Sequence, residues 1–471
     1  MQASEFYKIL KKNSPFQTTL NQDLFFDKIA DFVTNPKEDE LFVLKGYAGT
    51  GKTTIISTLV NHLHEAGKKY VILAPTGRAA KVISNYSNQP AHTIHKRIYY
   101  PKTSAKGVGF TTQANKFKNT IFIVDEASMI SDQGTDQNMY ENGSLLDDLI
   151  MYVYGGQNCK IIFVGDTAQL PPVGMDESPA LDTDRLNRNF NLEVGHIELT
   201  EVMRQAVTSG ILYNATELRE LLNSHFFDTF QFKVRGFKDI VHLTDGYDIQ
   251  DAIYSAYSNY SIEDTAFIVR SNKRANLYNQ QIRMKILDKE SELSPGDYMM
   301  VVKNNYFWLK ESKHTDFIAN GDIIEVLEIY RIVELYGFKF ARVKVRMIDY
   351  PEEIPFETVL ILDTVTSDSP SLTYAQQNQL YQEVLLDYQN ETQYQKSQKM
   401  RTNEYFNALQ VKFSYAITCH KSQGGQWNTV FIEQPYLPEG IDKDYIRWLY
   451  TAVTRAKDKL YLIGFKDQVE D

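Results

Sequence analysis

A glycine-rich stretch near the start of the chain, GYAGTGKT at residues 46–53, has the residue types and spacing of a phosphate-binding loop. It fits the pattern G-x-x-x-x-G-K-[ST] between an apolar run and a predicted helix. Its glycines let backbone N–H groups face phosphate oxygens, next to the positive end of the helix. Lys52 would pair with the terminal phosphates and Thr53 would ligate Mg²⁺. The predicted nucleotide-binding residues here are Gly49, Thr50, Gly51, Lys52, Thr53 and Thr54.

Two adjacent carboxylates, Asp125 and Glu126, follow the apolar run TIFIV. A buried strand that ends in this pair would present both side chains at its carboxyl end. Asp125 suits the outer coordination sphere of a metal ion, and Glu126 suits the activation of an attacking water. A solvated acidic loop is the alternative, but the phosphate-binding loop upstream favours the catalytic interpretation.

A third stretch, FVGDTAQLPPVG at residues 163–174, ends a strand and places Gln169 just before two prolines. The neutral amide of Gln169 could contact a γ-phosphate or the attacking water, and the rigid Pro-Pro turn could pass that contact to another surface. Taken alone, the stretch is better explained as a strand and loop that stop at two prolines.

Length and composition limit the classes of protein to consider. With 471 residues the chain is too long for one core, and its 43% hydrophobic and 23% charged residues are ordinary for a globular protein. A net charge of −10 argues against nucleic-acid binding by bulk charge, but leaves a local basic groove open. Two cysteines in no metal-like pair, and no spanning run or signal-peptide core, predict a cytoplasmic protein without a membrane partner.

The elements that must position these residues are strands of a parallel sheet. Short apolar runs without alternation, each followed by a turn or helix, recur between residues 41 and 166 and again between 265 and 465. Continuous apolar runs of this kind are typical of parallel strands that are covered by helices on both faces. The sequence therefore predicts an α/β protein with two lobes.

Two segments depart from this pattern. Residues 96–119 hold six Lys or Arg and no Asp or Glu, with interleaved aromatic residues. Residues 291–412 combine β-rich pieces with a long helical stretch, in which Leu380, Val384 and Tyr388 recur at helical spacing. We interpret this second segment as a small β-barrel that carries a helical projection.

Ordered motifs give a resemblance to a known family. GYAGTGKT, APTGRAAK, TIH, DEASM, GDTAQLPPV, LTEVMRQ, ITCHKSQG and LYTAVTRAKDKLYLIG occur in that order over nearly the whole chain. They resemble the motifs of superfamily 1 helicases, most closely the RecD-like and Pif-type branch. The resemblance implies two RecA-like parallel-sheet motor lobes with an inserted hairpin and an inserted β-barrel. It also implies an ATP-dependent, Mg²⁺-requiring 5′→3′ DNA helicase.

The family pattern also implies a domain organisation. The first RecA-like lobe comprises 1–95 and 120–208, with 96–119 as an inserted basic pin that splits the duplex. The second lobe comprises 209–290 and 411–471, with 291–410 as the inserted barrel and projection. The polar stretch after Met129 and the projection at 371–410 depart from what the family leads us to expect.

Roles at the nucleotide carry over to matching positions. Gln22 matches the adenine-reading glutamine, and Gln423 and Gly424 match the loop that senses nucleotide from the second lobe. Arg204 and Arg455 match two arginines that approach the γ-phosphate across the cleft, where a guanidinium stabilises transition-state charge. The resulting catalytic set is Lys52, Glu126, Gln169, Arg204 and Arg455, with Thr53 and Asp125 at the metal.

Other motif positions match residues that line single-stranded DNA and grip its phosphates without reading sequence. Within the basic segment, the ring of Phe110 or Tyr100 could stack at the fork, and a solvated lysine-rich loop is the alternative. The predicted DNA-binding residues are Pro75, Thr76, Thr93, His95, Phe110, His420 and Lys421.

Partners and competing functions follow from the same resemblance. We expect single-stranded and forked duplex DNA as partners, together with replication or recombination proteins. We also expect a monomeric motor, because one chain holds every motif. An RNA helicase of the same superfamily is one alternative, since no motif reads a 2′-hydroxyl. A non-unwinding nucleic-acid-binding ATPase subunit is another. A small-molecule kinase would explain the phosphate-binding loop but not HKSQG or VTRAK.

Overall fold

The computed structural model describes residues 1–104, 107–134, 143–201, 208–224, 227, 230–309, 318–438, 440–466 and 468–470. Residues 101–104, 107–110 and 470 are described by their backbone alone. Across these ranges no helix has the length and apolar character needed to cross a membrane.

A six-stranded parallel sheet forms the core of the first lobe, in the order β3-β2-β6-β7-β1-β8. The continuous apolar runs of the sequence become its central strands, which are buried on both faces as predicted. The strands are β1 (Glu40–Gly46), β2 (Lys69–Ala74), β3 (Ala91–Thr93), β6 (Thr120–Val124), β7 (Lys160–Gly165) and β8 (Glu193–Leu199).

Helices cover both faces of this sheet. The second of them begins at a capping box, in which Thr19 and Gln22 exchange hydrogen bonds, and buries Phe25, Ile29 and Phe32, which recur at helical spacing. The helices are α1 (Ala3–Lys12), α2 (Leu20–Thr34), α3 (Lys52–His62), α4 (Gly77–Ser87), α5 (Ile94–Ile98), α6 (Leu145–Tyr154) and α7 (Thr183–Phe190).

The basic segment contains an antiparallel hairpin between α5 and β6. Its strands are β4 (Tyr99–Ser104) and β5 (Gly107–Thr112). Their backbones pair from Tyr99 opposite Thr112 to Ser104 opposite Gly107.

The second lobe has a five-stranded parallel sheet in the order β10-β19-β18-β11-β17. Its strands are β10 (Ile240–Leu243), β11 (Thr265–Val269), β17 (Ala416–Thr418), β18 (Trp427–Glu433) and β19 (Ala456–Ile463). A short parallel pair, β9 (Phe232–Lys233) and β20 (Val469–Glu470), lies apart from it. The helices are α8 (Gly210–Ser224), α9 (Gly246–Asn259), α10 (Asn272–Lys285), α14 (Cys419–Ser422) and α15 (Lys443–Val453).

A closed five-stranded barrel is inserted into the second lobe. Its strands are β12 (Tyr298–Val301), β13 (Ile323–Leu335), β14 (Phe338–Met347), β15 (Phe356–Ile361) and β16 (Leu409–Phe413). The projection between the last two consists of α11 (Asp363–Thr366), α12 (Tyr374–Leu386) and α13 (Gln393–Thr402). Strand β16 spans the boundary that the sequence suggested between residues 410 and 411, because it pairs with β12 and β15 and so completes the barrel.

A buried carboxylate joins the barrel to the second lobe. Asp297, just before β12, is fully buried and accepts hydrogen bonds from both Nε and Nη2 of Arg283 on α10, at 3.0 and 2.9 Å. It also accepts bonds from Lys289 Nζ, Tyr415 Oη and the Ser294 N–H, at 3.2, 2.9 and 2.8 Å. A carboxylate with this many donors is well compensated for its burial.

We therefore expect Asp297→Ala to lower the free energy of unfolding by about 3–5 kcal/mol, because it leaves the buried Arg283 guanidinium without its counter-charge. Urea denaturation would measure the loss. The control is Glu292→Ala, which removes a solvent-exposed ion pair with Lys339 and should cost less than about 1 kcal/mol. Equal losses in the two variants would contradict the anchoring role of Asp297.

Candidate functional site

The phosphate-binding loop connects β1 to α3. Gly49 and Gly51 have φ angles of 75° and 81°, in the left-handed region that favours glycine. The Lys52 ammonium donates hydrogen bonds to the carbonyl oxygens of Gly46 and Tyr47. A triphosphate would offer charged oxygens instead, which bind an ammonium more strongly than neutral carbonyls do. The loop therefore fits the terminal phosphates of a nucleotide.

The two carboxylates that end β6 differ in environment. The surrounding protein and the adjacent Glu126 raise the pKa of Asp125 to about 7, so a charged carboxylate there costs free energy. A divalent cation would offset that cost, and the position therefore fits Mg²⁺. Glu126 has a φ of 52°, a left-handed conformation that costs about 1–3 kcal/mol for a residue with a side chain and is concentrated at active sites.

The second lobe reaches this site through Arg455, which follows α15. Its Nη1 lies 3.9 Å from Oε1 of Glu126, so the two lobes meet at the predicted catalytic base. The guanidinium is buried and is held by the carbonyl oxygens of Thr451 and Gly425, at 3.0 and 3.2 Å. These two carbonyl oxygens fix the plane of the guanidinium. Arg455 is therefore oriented toward a negative charge in the cleft and away from solvent.

Two glutamines lie on opposite walls of the cleft. Gln169 is buried, and its Oε1 has no hydrogen-bond partner among the residues that the structure describes. Such a group costs free energy unless a ligand satisfies it. From the second lobe, Gln423 donates a hydrogen bond to the Leu170 carbonyl at 2.7 Å. Its neighbour Gly424 approaches α4 so closely that a Cβ there would lie 2.6 Å from the Cβ of Ala79.

Gln22 contacts the phosphate-binding loop directly. Its Nε2 donates to the carbonyl of Thr50 at 2.9 Å, while its Oε1 accepts from the N–H of Thr19 at 3.1 Å. The amide therefore joins the start of α2 to the loop, and adenine recognition by Gln22 stays a prediction. Two other predicted residues cannot be placed, because Arg204 and the side chain of Phe110 lie outside the described part of the chain.

Two of the predicted DNA-binding residues begin helices. Thr76 is the N-cap of α4 and accepts the N–H of Ala79, and Thr93 is the N-cap of α5 and accepts the N–H of Lys96, both at 3.2 Å. A hydroxyl that accepts in this way retains its own proton, which can be donated to a phosphate. Pro75 fixes the backbone just before the first cap. Both helix starts are therefore suited to a phosphodiester.

The predicted DNA-binding histidines and lysine differ in exposure. Burial lowers the pKa of His95 to about 4, so this imidazole is neutral at pH 7, and its ring lies 5.6 Å from that of Tyr99. His420 is exposed on α14. Burial, and secondarily the charge of Lys412, lowers the pKa of Lys421 to about 8. A phosphate bound beside Lys421 would supply a counter-charge that favours the protonated ammonium.

Carboxyl groups of the barrel cover the start of α4. Asp322 is fully buried, and a Cβ placed on Gly77 would lie 2.4 Å from its Oδ1 and 3.0 Å from the hydroxyl of Tyr350. Burial, and then the nearby Asp349, raises the pKa of Asp322 well above its usual value. Lys81 of α4 donates to the barrel backbone and lies 3.7 Å from Oδ1 of Asp349. The barrel thus touches the end of α4 that is predicted to hold DNA.

The sequence did not reveal these carboxyl groups. It also did not reveal Tyr450 and Thr451, which bond across the cleft. The one sequence feature that could have indicated a role for them is their position in LYTAVTRA, about one helical turn before Arg455.

The chain is similar to several known proteins over most of its length. The chain is 26% identical to an uncharacterized protein of Acanthamoeba polyphaga mimivirus, covering 93% of this chain and 98% of that protein. It is 25% identical to a protein of Enterobacteria phage T4 named ATP-dependent DNA helicase dda, covering 89% and 93%. The solved structure of Pif1 helicase from Bacteroides in complex with ADP-AlF3 and ssDNA aligns with a TM-score of 0.49 at 16% identity, covering 97% and 95%.

The fold and the site define a P-loop NTPase with two RecA-like lobes that share one nucleotide cleft. A family model described as an AAA domain matches residues 30–222, and one described as a UvrD-like helicase C-terminal domain matches residues 413–463. Both matches fall within the two lobes, and the motifs of the chain resemble those of the Pif/RecD-like group of superfamily 1 helicases.

Proposed function

We propose that this protein is an ATP-dependent DNA helicase that moves 5′→3′ along single-stranded DNA and separates duplex strands. The observation that carries the proposal is the approach of Arg455 to Glu126 at 3.9 Å, from opposite lobes. A hydrolysis site divided in this way is complete only when the lobes are closed. Each cycle of ATP binding and hydrolysis would therefore close and open the cleft, which is the motion a translocating motor needs.

Each residue of the cleft has a defined task in hydrolysis. Lys52 binds the terminal phosphates, Glu126 takes the proton of the attacking water, and Arg455 stabilises the charge that develops on the transferred phosphoryl group. Gln169 orients the attacking water, which can donate to its Oε1, an atom without a partner among the described residues. Its amide N–H could instead donate to the γ-phosphate. Thr53 and Asp125 would hold Mg²⁺, and the bound ion would neutralise negative charge on the phosphate oxygens.

The proposed DNA path runs over both lobes. Thr76 and Thr93 at the starts of α4 and α5 grip one part of the strand, and His420 and Lys421 on α14 grip the next. The antiparallel hairpin of the basic segment, residues 96–119, is the strand-separating pin. The barrel, with its projection at 371–410, closes over the strand. Changes in cleft width would then shift one grip relative to the other.

Several finer assignments belong to the same proposal. Gln22 reads the adenine, Arg204 joins Arg455 at the γ-phosphate, and the domains have the boundaries that the family pattern gives. The protein works as a monomer on forked DNA, with replication or recombination proteins as partners. We propose that it acts in the cytoplasm, where a reducing environment would keep the buried thiols of Cys159 and Cys419 free.

We expect weak ATPase activity alone and strong stimulation by poly(dT), because DNA lying across both lobes aligns Glu126 with Arg455. Glu126→Gln should lower the stimulated kcat by about 10²–10⁴ while nucleotide still binds, since the water loses its base. Lys52→Ala should abolish turnover. A coupled phosphate-release assay measures all three proteins. Equal turnover with and without DNA, or greater stimulation by poly(U), would reject the DNA-motor proposal.

The direction of movement is tested with partial duplexes that carry one single-stranded tail. We expect unwinding of the substrate with a 5′ tail and none of the substrate with a 3′ tail, because a 5′→3′ motor that loads on a 5′ tail meets the junction. A fluorescence strand-displacement assay under single-turnover conditions measures both, with Lys52→Ala as the inactive control. Unwinding that requires a 3′ tail would overturn the direction but not the nucleotide site.

The contact between the barrel and α4 predicts an effect on DNA affinity. Asp349→Asn removes the counter-charge of Lys81 on α4, which is then free to pair with a phosphate, so single-stranded DNA should bind about three- to tenfold more tightly. Fluorescence anisotropy with a labelled oligonucleotide measures this. The control, Glu334→Gln, makes the same change in net charge at an exposed position of β13 and should have no effect. Weaker binding by Asp349→Asn would show that the contact supports the DNA path instead of competing with it.

A further inference from the structure

Helix α15 presents one face to the first lobe, and Tyr450 lies at the centre of that face. This tyrosine is 1% exposed, and its hydroxyl accepts a hydrogen bond from the N–H of Ala48 in the phosphate-binding loop at 2.9 Å. The same hydroxyl donates to Oδ2 of Asp166, after β7, at 2.7 Å. One phenol of the second lobe thus connects two loops of the first lobe, both of which form the nucleotide cleft.

The peptide unit that Tyr450 holds is the one that Lys52 contacts. The carbonyl of Tyr47 and the N–H of Ala48 belong to a single planar peptide group, so they move together. Lys52 donates to that carbonyl at 2.9 Å, while Tyr450 accepts from the N–H on the other side. When the Lys52 ammonium moves to a phosphate, this peptide group loses a bond on one side and keeps Tyr450 on the other.

The protonation of Tyr450 fixes the direction of its hydrogen bonds. Burial, and then the negative charge of Asp166, holds the pKa of the phenol well above its usual value. The hydroxyl therefore keeps its proton, which it donates to Asp166, and it offers only a lone pair to Ala48. The other oxygen of Asp166 accepts the N–H of Ala168 at 2.9 Å, in the loop that carries Gln169.

The far side of this connection is Arg455. The residue after Tyr450, Thr451, accepts the N–H of Leu170 through its hydroxyl at 2.8 Å and binds Nε of Arg455 through its carbonyl at 3.0 Å. A small movement of α15 at Tyr450 must therefore change the position of the Arg455 guanidinium. Both ends of the segment 450–455 contact groups of the same nucleotide site.

We propose that Tyr450 is a positioning residue that transmits the state of the phosphate-binding loop to Arg455. This inference rests on the proposed ATPase function of the same cleft. When phosphate draws Lys52 away from the Tyr47–Ala48 peptide group, Tyr450 and α15 follow that group, and Arg455 is brought to its working position beside the transferred phosphoryl group. Nucleotide binding itself does not need Tyr450, but the hydrolytic step does.

The test is Tyr450→Phe, which keeps the ring and removes the hydroxyl. We expect the DNA-stimulated kcat to fall about 10- to 100-fold, with the KM for ATP changed by less than about twofold. In an Arg455→Ala background the same substitution should have no further effect on kcat, because it acts through Arg455. Tyr445→Phe is the matched control. Tyr445 is a buried tyrosine of the same helix, but its hydroxyl donates to Gln468 within the second lobe, at 2.8 Å.

A second measurement does not depend on turnover. Tyr450→Phe should bind ADP as the wild type does, which also shows that it is folded, but should bind ADP–aluminium fluoride at least tenfold more weakly. The proposal is overturned if both ligands bind as in the wild type, if the effects of Tyr450→Phe and Arg455→Ala on kcat multiply, or if Tyr445→Phe has the same effect. If DNA fails to stimulate the wild type, the helicase proposal fails, and the comparison of the two ligands still decides the role of Tyr450.

Discussion

The structure depends on a constraint on helix α15, which has to pack into the second lobe and bond to the first. Its buried side chains include Trp448 and Leu449, in the core of its own lobe. On its other side it bonds to the first lobe, through Arg447 to the Asp176 carbonyl and through Thr451 to the Leu170 N–H. Few residue types can both pack in the core of one lobe and form hydrogen bonds to the other. The positions of the cleft residues therefore depend on the position of α15 between the lobes.

Much of the fold could be predicted because its central strands are buried on both faces. Such strands need continuous apolar runs, and TIFIV and KIIFV are recognisable as β6 and β7 without any partner in view. The residues that follow them, Asp125 and Asp166, could be placed for the same reason. In parallel strands the carboxyl ends meet at one edge, so residues far apart in sequence share a site.

What could not be predicted depends on how separate units pack. The contact of Asp322 with Gly77 joins residues from the barrel and from α4, and no local pattern specifies it. Likewise, the bond from Tyr450 to Ala48 exists only because two lobes meet. The boundary at 410/411 that the family pattern implies divides strand β16, and only the pairing of this strand with β12 and β15 assigns it to the barrel.

The bonds around Asp297 have a mechanical consequence. Arg283 belongs to the second lobe, and Tyr415 lies in the short link between β16 and β17, so the barrel is fastened at its base by two connections. Its contact with α4, by contrast, includes a carboxyl oxygen of Asp322 that has no partner among the described residues. The barrel is therefore held to the second lobe by a denser set of charged hydrogen bonds than to α4. We expect any rotation of the second lobe at the nucleotide cleft to carry the barrel and its projection with it.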